Sequence, residues 1–530
     1  MRKVASSVLP IISIDRQSSK PLHTQIYETF RMAIVNESLR PGQRVPSSRT
    51  LAVELGISRT PVLNAYDQLV ADGYFESGLG KGTFVSTSLR EELRSGDDDR
   101  ARRLEKSAVG PRQVASRLAN LSRVKIEPAW YGAGPFNIGQ VAVEQFPFHI
   151  WARLVVRHSR KAGAHSFQYG DPRGSLRFRQ ILADYLRIAR AVNCDARQIM
   201  VVSGSQQGLE LTARVLLNSG DSVWLEEPGH DLTTRIIKLA ECHPVPVPVN
   251  KEGLDVQIGA RLCNDARAVY VTPSHQFPLG ITMTASRRLE LLDWAQSAGA
   301  WIIEDDYDSD YHYQEMPIAS LQGLDPNSRV IYLGTFSTTL YPSLRLGYIV
   351  MPPDLVDRFM TMRQTMDVFP PNLFQNVVAD FIQEGHYSRH IRRTRIVYAQ
   401  RREALIEALS LEFGSAVEVI GEKSGLHLVL TLPRGMSDRA VARIAAEERL
   451  WVRPLSPYYL DKPRRQGLLL GFGGTAPTEI QEAVHRLRSV IDSIKSRSAV
   501  SSDPEIPPRH AGGAFDGNYQ SGLMFQSLSF

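Results

Sequence analysis

The stretch GTFSTTLYPSLRLGY, Gly334 to Tyr348, decides how the greater part of this 530-residue chain is read. Its first residues close VIYLGTF, an apolar run of strand length rich in β-branched and aromatic side chains. A hydroxyl-rich turn follows, with Thr335, Ser337 and Thr338, and a second strand opens on Arg345. A guanidinium delivered beside hydroxyls at the end of a buried strand is a fork suited to a phosphate.

Working outward, QIMVVSG, DSVWLEE, RAVYVTP and AWIIEDD are further buried-strand candidates, with long helical patterns between several of them. That alternation predicts an α/β domain, whose ligands gather at the carboxyl ends of the strands. VVSGSQQGLELTARVLL reads as strand, then Ser203-Gly204-Ser205-Gln206, then helix. Free N–H groups at a helix start, flanked by small hydroxyl residues, make a phosphate site; an ordinary capped helix would read the same. IIEDDYDSDY sets Asp305 and Tyr307 just past a strand. A carboxylate there can stabilise a protonated ring nitrogen and a phenol can bond a ring oxygen, although acids at strand ends also occur for structural reasons. Together these segments describe a pocket for an anionic aromatic ligand.

Composition is that of a globular protein, 43% hydrophobic and 22% charged, and the length predicts about three or four structural units. Net charge is +6, and all of it lies in residues 1–127, which hold 20 Lys and Arg against 14 Asp and Glu. A basic first quarter attached to a neutral body suits a nucleic-acid-binding module, though the charged linker alone contributes +3. Cys194, Cys242 and Cys263 are widely spaced, which argues against a disulfide framework or a metal site and suits the cytoplasm. No apolar run has the length of a signal peptide core or a membrane span. Four regions are expected: a compact module at 19–87, a charged flexible linker at 88–128, the α/β domain at 129–495, and a disordered Ser/Gly/Pro-rich tail at 496–530.

Within the first module, SSRTLAVELGISRTPVLNAYDQLVADGYF is a two-helix pattern with a tight turn at Gly56. Ser47 or Ser48 can cap the first helix and Ser58 the second, with Pro61 tolerated in the first turn. Val62, Ala65, Tyr66 and Leu69 form a buried stripe, which leaves Arg59, Thr60 and Asn64 to meet a major groove. Arg49 and Ser58 join them as candidate DNA contacts, and Lys81 at the tip of a following hairpin is offered to a phosphate or minor groove. From Pro21 to Val85, through PLHTQIYETF, PGQRVPSSRTLA, SRTPVLNAYDQL and GKGTFVS, the module resembles the winged helix-turn-helix of the GntR family. A small helical protein-binding domain is the alternative. Residues 19–87 carry only 7 basic against 6 acidic side chains, so tight DNA binding is expected to need a dimer.

From about Phe136 to Leu487 the chain resembles the aminotransferase-like domain of the MocR-type regulators, through YGDPRG, SGSQQG, EEPG, TPSHQFPLG, EDDYDSDY, GTFS and LYPSLRLGY. That GntR branch fuses a winged helix-turn-helix to a fold-type I aminotransferase body, a large α/β domain with a small C-terminal one, which uses pyridoxal 5'-phosphate. The resemblance implies that Ser205 and Gln206 bind the cofactor phosphate with Thr335 and Arg345 helping, and the Ser337 hydroxyl of the same turn is a further candidate cofactor contact. The resemblance also pairs Asp305 with the pyridine nitrogen and Tyr307 with the ring hydroxyl, and sends Tyr169 to the neighbouring subunit of a homodimer. Arg453 in WVRPLS is the candidate clamp for an effector carboxylate. Two departures stand out. His230 occupies the place after EEPG where the family stacks an aromatic, and Thr338 follows Ser337 where the family has its lysine. A threonine hydroxyl can neither form a Schiff base nor act as the amine base that shuttles a proton. The expected protein is thus a regulator of a double-stranded DNA operator, responding to an amino acid or a cofactor adduct and binding the cofactor without covalent attachment. A working aminotransferase is disfavoured by Thr338, and a body kept only for dimerisation remains the other alternative.

Overall fold

In the computed structural model the chain is described over residues 14–16, 18–36, 38–78, 82–87, 115–119, 134–163, 168–313 and 319–500, with side chains to 495. Lys81, most of the 88–128 segment and residues 501–530 lie outside the described residues. Two compact units divide the chain, Met1–Val114 and Ala115–Phe530. Among the described residues no helix is long and apolar enough to cross a membrane.

The first unit runs α1 (Leu22–Val35), α2 (Ser48–Glu54), α3 (Arg59–Ala71), β1 (Phe75–Gly78) and β2 (Gly82–Val85). Ser47 caps α2, accepting from the Thr50 amide at 3.1 Å. Gly56 makes the turn at φ +63°, a conformation that would cost most side chains about 1–2 kcal/mol. Ser58 holds the cap position of α3 but makes no side-chain cap bond. Pro61, three residues on, has no N–H to give such a cap, and the donor two residues on, at Thr60, is not taken by the Ser58 side chain. Val62, Ala65, Tyr66 and Leu69 are buried as the pattern predicts, while Arg49, Ser58, Arg59, Thr60 and Asn64 are exposed. Phe30, Tyr66 and Phe75 meet edge to face, with centroids 5.3 to 5.7 Å apart, and tie α1, α3 and the wing hairpin into one core. The strands β1 and β2 pair antiparallel from Phe75–Val85 to Gly78–Gly82.

In the second unit an eight-stranded sheet has the order β3-β10-β9-β8-β7-β4-β5-β6. Its strands are β3 (Ile199–Val202), β4 (Ser222–Glu227), β5 (His243–Asn250), β6 (Gly253–Leu254), β7 (Ala268–Val271), β8 (Trp301–Asp306), β9 (Val330–Thr335) and β10 (Gly347–Val350). The five apolar runs singled out in the sequence are β3, β4, β7, β8 and β9. The strand β5, HPVPVPVN, is not legible as one, because proline is rare in sheets. Its prolines alternate, and the His243 amide bonds back to Asp221 beside β4, so Pro244, Pro246 and Pro248 turn their missing donors to the sparsely paired edge.

All the long strands run parallel except β10, which is antiparallel to both β3 and β9. The carboxyl ends of β3, β4, β7, β8 and β9 therefore share one edge with the amino end of β10. The second strand opens at Gly347 rather than at Arg345, as Arg345 sits in the left-handed region at φ +48°. That conformation turns the chain and aims the guanidinium back across the sheet edge. A four-stranded antiparallel sheet follows, in the order β11-β12-β14-β13: β11 (Val419–Ile420), β12 (His427–Thr431), β13 (Arg453–Pro454) and β14 (Gly467–Gly471). The last helix, Pro477–Val500, runs past the expected boundary at 495.

Candidate functional site

A cavity of about 270 Å3 opens where the shared strand edge meets the starts of β12 and β13. Ser205, Gln206, His230, Asp305, Tyr307, Thr335, Ser337, Thr338, Arg345 and Arg453 all line it, although they span 249 positions of sequence. Tyr169 does not; it is 86% exposed, its ring against Phe369.

One end of the cavity is built for an anion. The helix Ser205–Leu216 starts at Gly204 with no side-chain cap, so its first N–H groups stay open. Arg345 donates to the Ser203 carbonyl at 2.6 Å, and its guanidinium passes directly over Gly204. A Cβ on Gly204 would lie 3.0 Å from Arg345 Nη2, and Gly204 has φ +102°, so only glycine leaves this cradle clear. Across it, Thr335 Oγ1 accepts from the Ser337 amide at 3.2 Å and lies 3.0 Å from the Ser337 hydroxyl.

Two carboxyls adjacent in the chain have opposite fates: Asp305 lines the cavity, and Asp306, its neighbour on β8, does not. Asp306 is tied to Arg190 at 2.8 Å and to the Tyr332 hydroxyl at 2.5 Å. Burial pushes it up, but Arg190, Ser309 and Tyr332 outweigh burial and hold it below the ordinary carboxylate range. Asp305 has no cation. Burial lifts it to about 7, against the Tyr270 hydroxyl, which donates to Oδ2 at 2.7 Å, and the nearby Ser205 hydroxyl. Its Oδ1 is buried with no hydrogen-bond partner. An unmatched buried acceptor costs about 1–3 kcal/mol, and a ring N–H arriving there would recover it. Tyr307 donates to the His275 carbonyl at 2.8 Å, and His230 lies tilted on Phe277 with centroids 5.0 Å apart.

Thr338 also lines the cavity, and its hydroxyl donates to the backbone carbonyl of Tyr307. No lysine stands among the described lining residues. Sequence reasoning missed Tyr270, Thr272, Phe277, Asp308 and His427, which with Ile138, Gly139 and Leu426 complete the walls. Tyr270 hides inside a strand, where an apolar pattern needs no phenol; TPSHQFPLG and EDDYDSDY carried Phe277 and Asp308 in plain view, without a partner to give them meaning.

Two family models match, bacterial regulatory proteins of the gntR family over residues 22–85 and aminotransferase class I and II over residues 135–487. The chain is 35% identical to the probable rhizopine catabolism regulatory protein MocR of Rhizobium meliloti, covering 93% of this chain and 98% of that one. It is 30% identical to the pyridoxine biosynthesis regulator PdxR of Corynebacterium glutamicum, over 87% of this chain and 94% of that one. Among solved structures, the second unit is similar to the kynurenine aminotransferase of Pyrococcus horikoshii, with TM-score 0.63 and 29% identity over 67% of this chain and 90% of that one. The α-aminoadipate aminotransferase LysN of Thermus thermophilus, solved with N-(5'-phosphopyridoxyl)-L-leucine, gives 0.64 and 28% over 68% and 92%. This chain belongs to the MocR-type family of transcriptional regulators, in which a GntR helix-turn-helix is joined to an aminotransferase class I and II domain.

Proposed function

We propose that this regulator binds its operator as a homodimer and holds pyridoxal 5'-phosphate in the second unit without a covalent bond, as part of a sensor for an amino-acid-like effector. The observation that carries the cofactor reading is the pairing, in one cavity, of an open helix start under Arg345 with the partnerless Asp305 Oδ1. Ser205, Gln206, Thr335, Ser337 and Arg345 would hold the phosphate, Asp305 the ring nitrogen, and His230 a ring face. Arg453 would take the effector's carboxylate. When bound, the group supplies an electrophilic carbonyl that amines attack. Thr338 supplies no amine to anchor it and no base to move a proton, so sensing rather than turnover is the expected outcome.

The test is a gel-shift titration of operator DNA with and without the cofactor and candidate amino acids. A shift in affinity supports the sensor; constant affinity under every addition leaves a dimer that binds DNA unconditionally. In the same assay Arg59→Ala is expected to cost about 1–3 kcal/mol of specific binding, the value of one good base contact. Arg59 is the first residue of α3 and is exposed, beside Ser48 at 3.2 Å. Unchanged operator affinity at fixed salt would remove it from the contact set.

For the dimer, the support is a set of apolar side chains left in solvent on the second unit, including Val143, Phe148, Phe374 and Tyr169, at 54, 63, 42 and 86% exposure. A fragment lacking residues 1–127 is expected to remain dimeric at micromolar concentration by light scattering. A monomer would leave Tyr169 with no second subunit to reach.

A further inference from the structure

We propose that Asp308 is the amine acceptor of this cavity, taking the ammonium of a ligand that the protein does not hold covalently. The inference rests on the cofactor reading above and names a part of the ligand that reading leaves unmatched. Asp308 lines the cavity and is only 2% exposed. Its Oδ2 lies 2.7 Å from His275 Nδ1, and its Oδ1 is buried with no hydrogen-bond partner. The carboxylate cannot easily swing. Tyr307 holds the His275 backbone carbonyl, and the ring packs so closely on Gly425 that a Cβ there would overlap it.

Asp305 and Asp308 thus both line the cavity, and each keeps one buried carboxyl oxygen without a hydrogen-bond partner. On the cofactor reading a pyridine N–H satisfies Asp305, and the ring has no second N–H to offer Asp308. The nearby imidazoles offer it no cation, since burial lowers His275 to about 3 and His427 to about 4 and keeps both neutral. Nor does Thr338, whose hydroxyl is spent on the carbonyl of Tyr307, the residue just before Asp308. Arg190, the guanidinium that acts on Asp308, is paired with Asp306, and no lysine stands among the described lining residues, so an ammonium must come with the ligand. Burial raises Asp308 itself well above the ordinary carboxylate range, and an arriving ammonium would draw it back toward the charged form, giving a charge-assisted hydrogen bond, which is among the stronger polar contacts. The ammonium can be the cofactor's own, as in pyridoxamine 5'-phosphate, or that of a separate amino acid.

Calorimetric titration of the full-length protein with pyridoxamine 5'-phosphate and with pyridoxine 5'-phosphate tests the idea, because a hydroxyl replaces the amine in the second and all else is kept. The amine form is expected to bind about tenfold tighter or more, and Asp308→Asn to erase that preference while pyridoxine 5'-phosphate still binds. A second arm adds L-alanine to protein saturated with pyridoxine 5'-phosphate. Alanine binding that is lost in Asp308→Asn assigns the ammonium to a separate amino acid and supports Asp308 in that form. Equal affinities for the two phosphates together with no alanine binding overturn the proposal in the native protein, whether or not the variant folds. If neither phosphate binds, the cofactor reading itself has failed, and this inference falls with it.

Discussion

Arg345→Gly is expected to lower affinity for pyridoxal 5'-phosphate by about 30- to 150-fold while leaving the free protein about as stable as before. The two halves of that expectation come from different parts of one residue. The side chain lies over the open start of the helix Ser205–Leu216, where a guanidinium–phosphate contact is worth about 2–3 kcal/mol. The backbone sits at φ +48°, where a side chain costs about 1–2 kcal/mol that glycine avoids. Against this relief stand the bond to the Ser203 carbonyl, about 0.5–1.5 kcal/mol at an exposed position, and the entropy of a new glycine, about 0.5–1 kcal/mol. These cancel to within about 1 kcal/mol.

The readout is a pair of melting curves for each protein, with and without cofactor at a hundredfold excess over the native Kd. Native protein should gain about 2.7 kcal/mol, and a variant weakened about a hundredfold should gain only about 0.4 kcal/mol at the same concentration. A loss of stability in the free variant well beyond 1 kcal/mol would make Arg345 a structural residue. A full ligand gain in the variant would take it out of the phosphate site.

The parts of this site that were legible in the sequence are those packed into short contiguous stretches. Ser205 and Gln206 follow a strand and open a helix; Asp305 and Tyr307 are two residues apart; Thr335, Ser337 and Arg345 share one turn. Each stretch has a local physical reason that needs no knowledge of the rest of the chain. What was not legible depends on register across the sheet. Tyr270 reaches Asp305 because β7 and β8 pair in parallel with Tyr270 beside Ile303, and no periodicity in RAVYVTP announces it. Asp308 gains its meaning from His275, 33 positions earlier, and from an oxygen left without a partner. At Ser58 the sequence shows that Pro61 removes one of the two possible cap donors, but not that the other, at Thr60, is left untaken. For β5 the alternating prolines obscured a strand that the sheet edge tolerates.

Thr338→Lys is expected to have the largest effect of all, because it changes the kind of bond rather than its strength. Thr338 lines the cavity together with Ser205, Arg345 and Asp305, so on the proposed reading an amine placed there meets a cofactor held by those side chains. Native protein should release pyridoxal 5'-phosphate on dialysis, and borohydride should trap none of it in the peptide around residue 338. The lysine variant should retain the cofactor through dialysis, absorb in the visible, and give a borohydride-trapped adduct on that peptide. The cost to the fold is small, since the substitution removes one hydroxyl bond, to the Tyr307 carbonyl, at a half-buried position. A variant that binds the cofactor only as loosely as the native chain would mean that position 338 does not face the carbonyl carbon, and that the family's lysine slot lies elsewhere. If neither protein binds it, the cavity has lost its ligand along with its amine, and the second unit serves DNA binding only as a scaffold for the dimer.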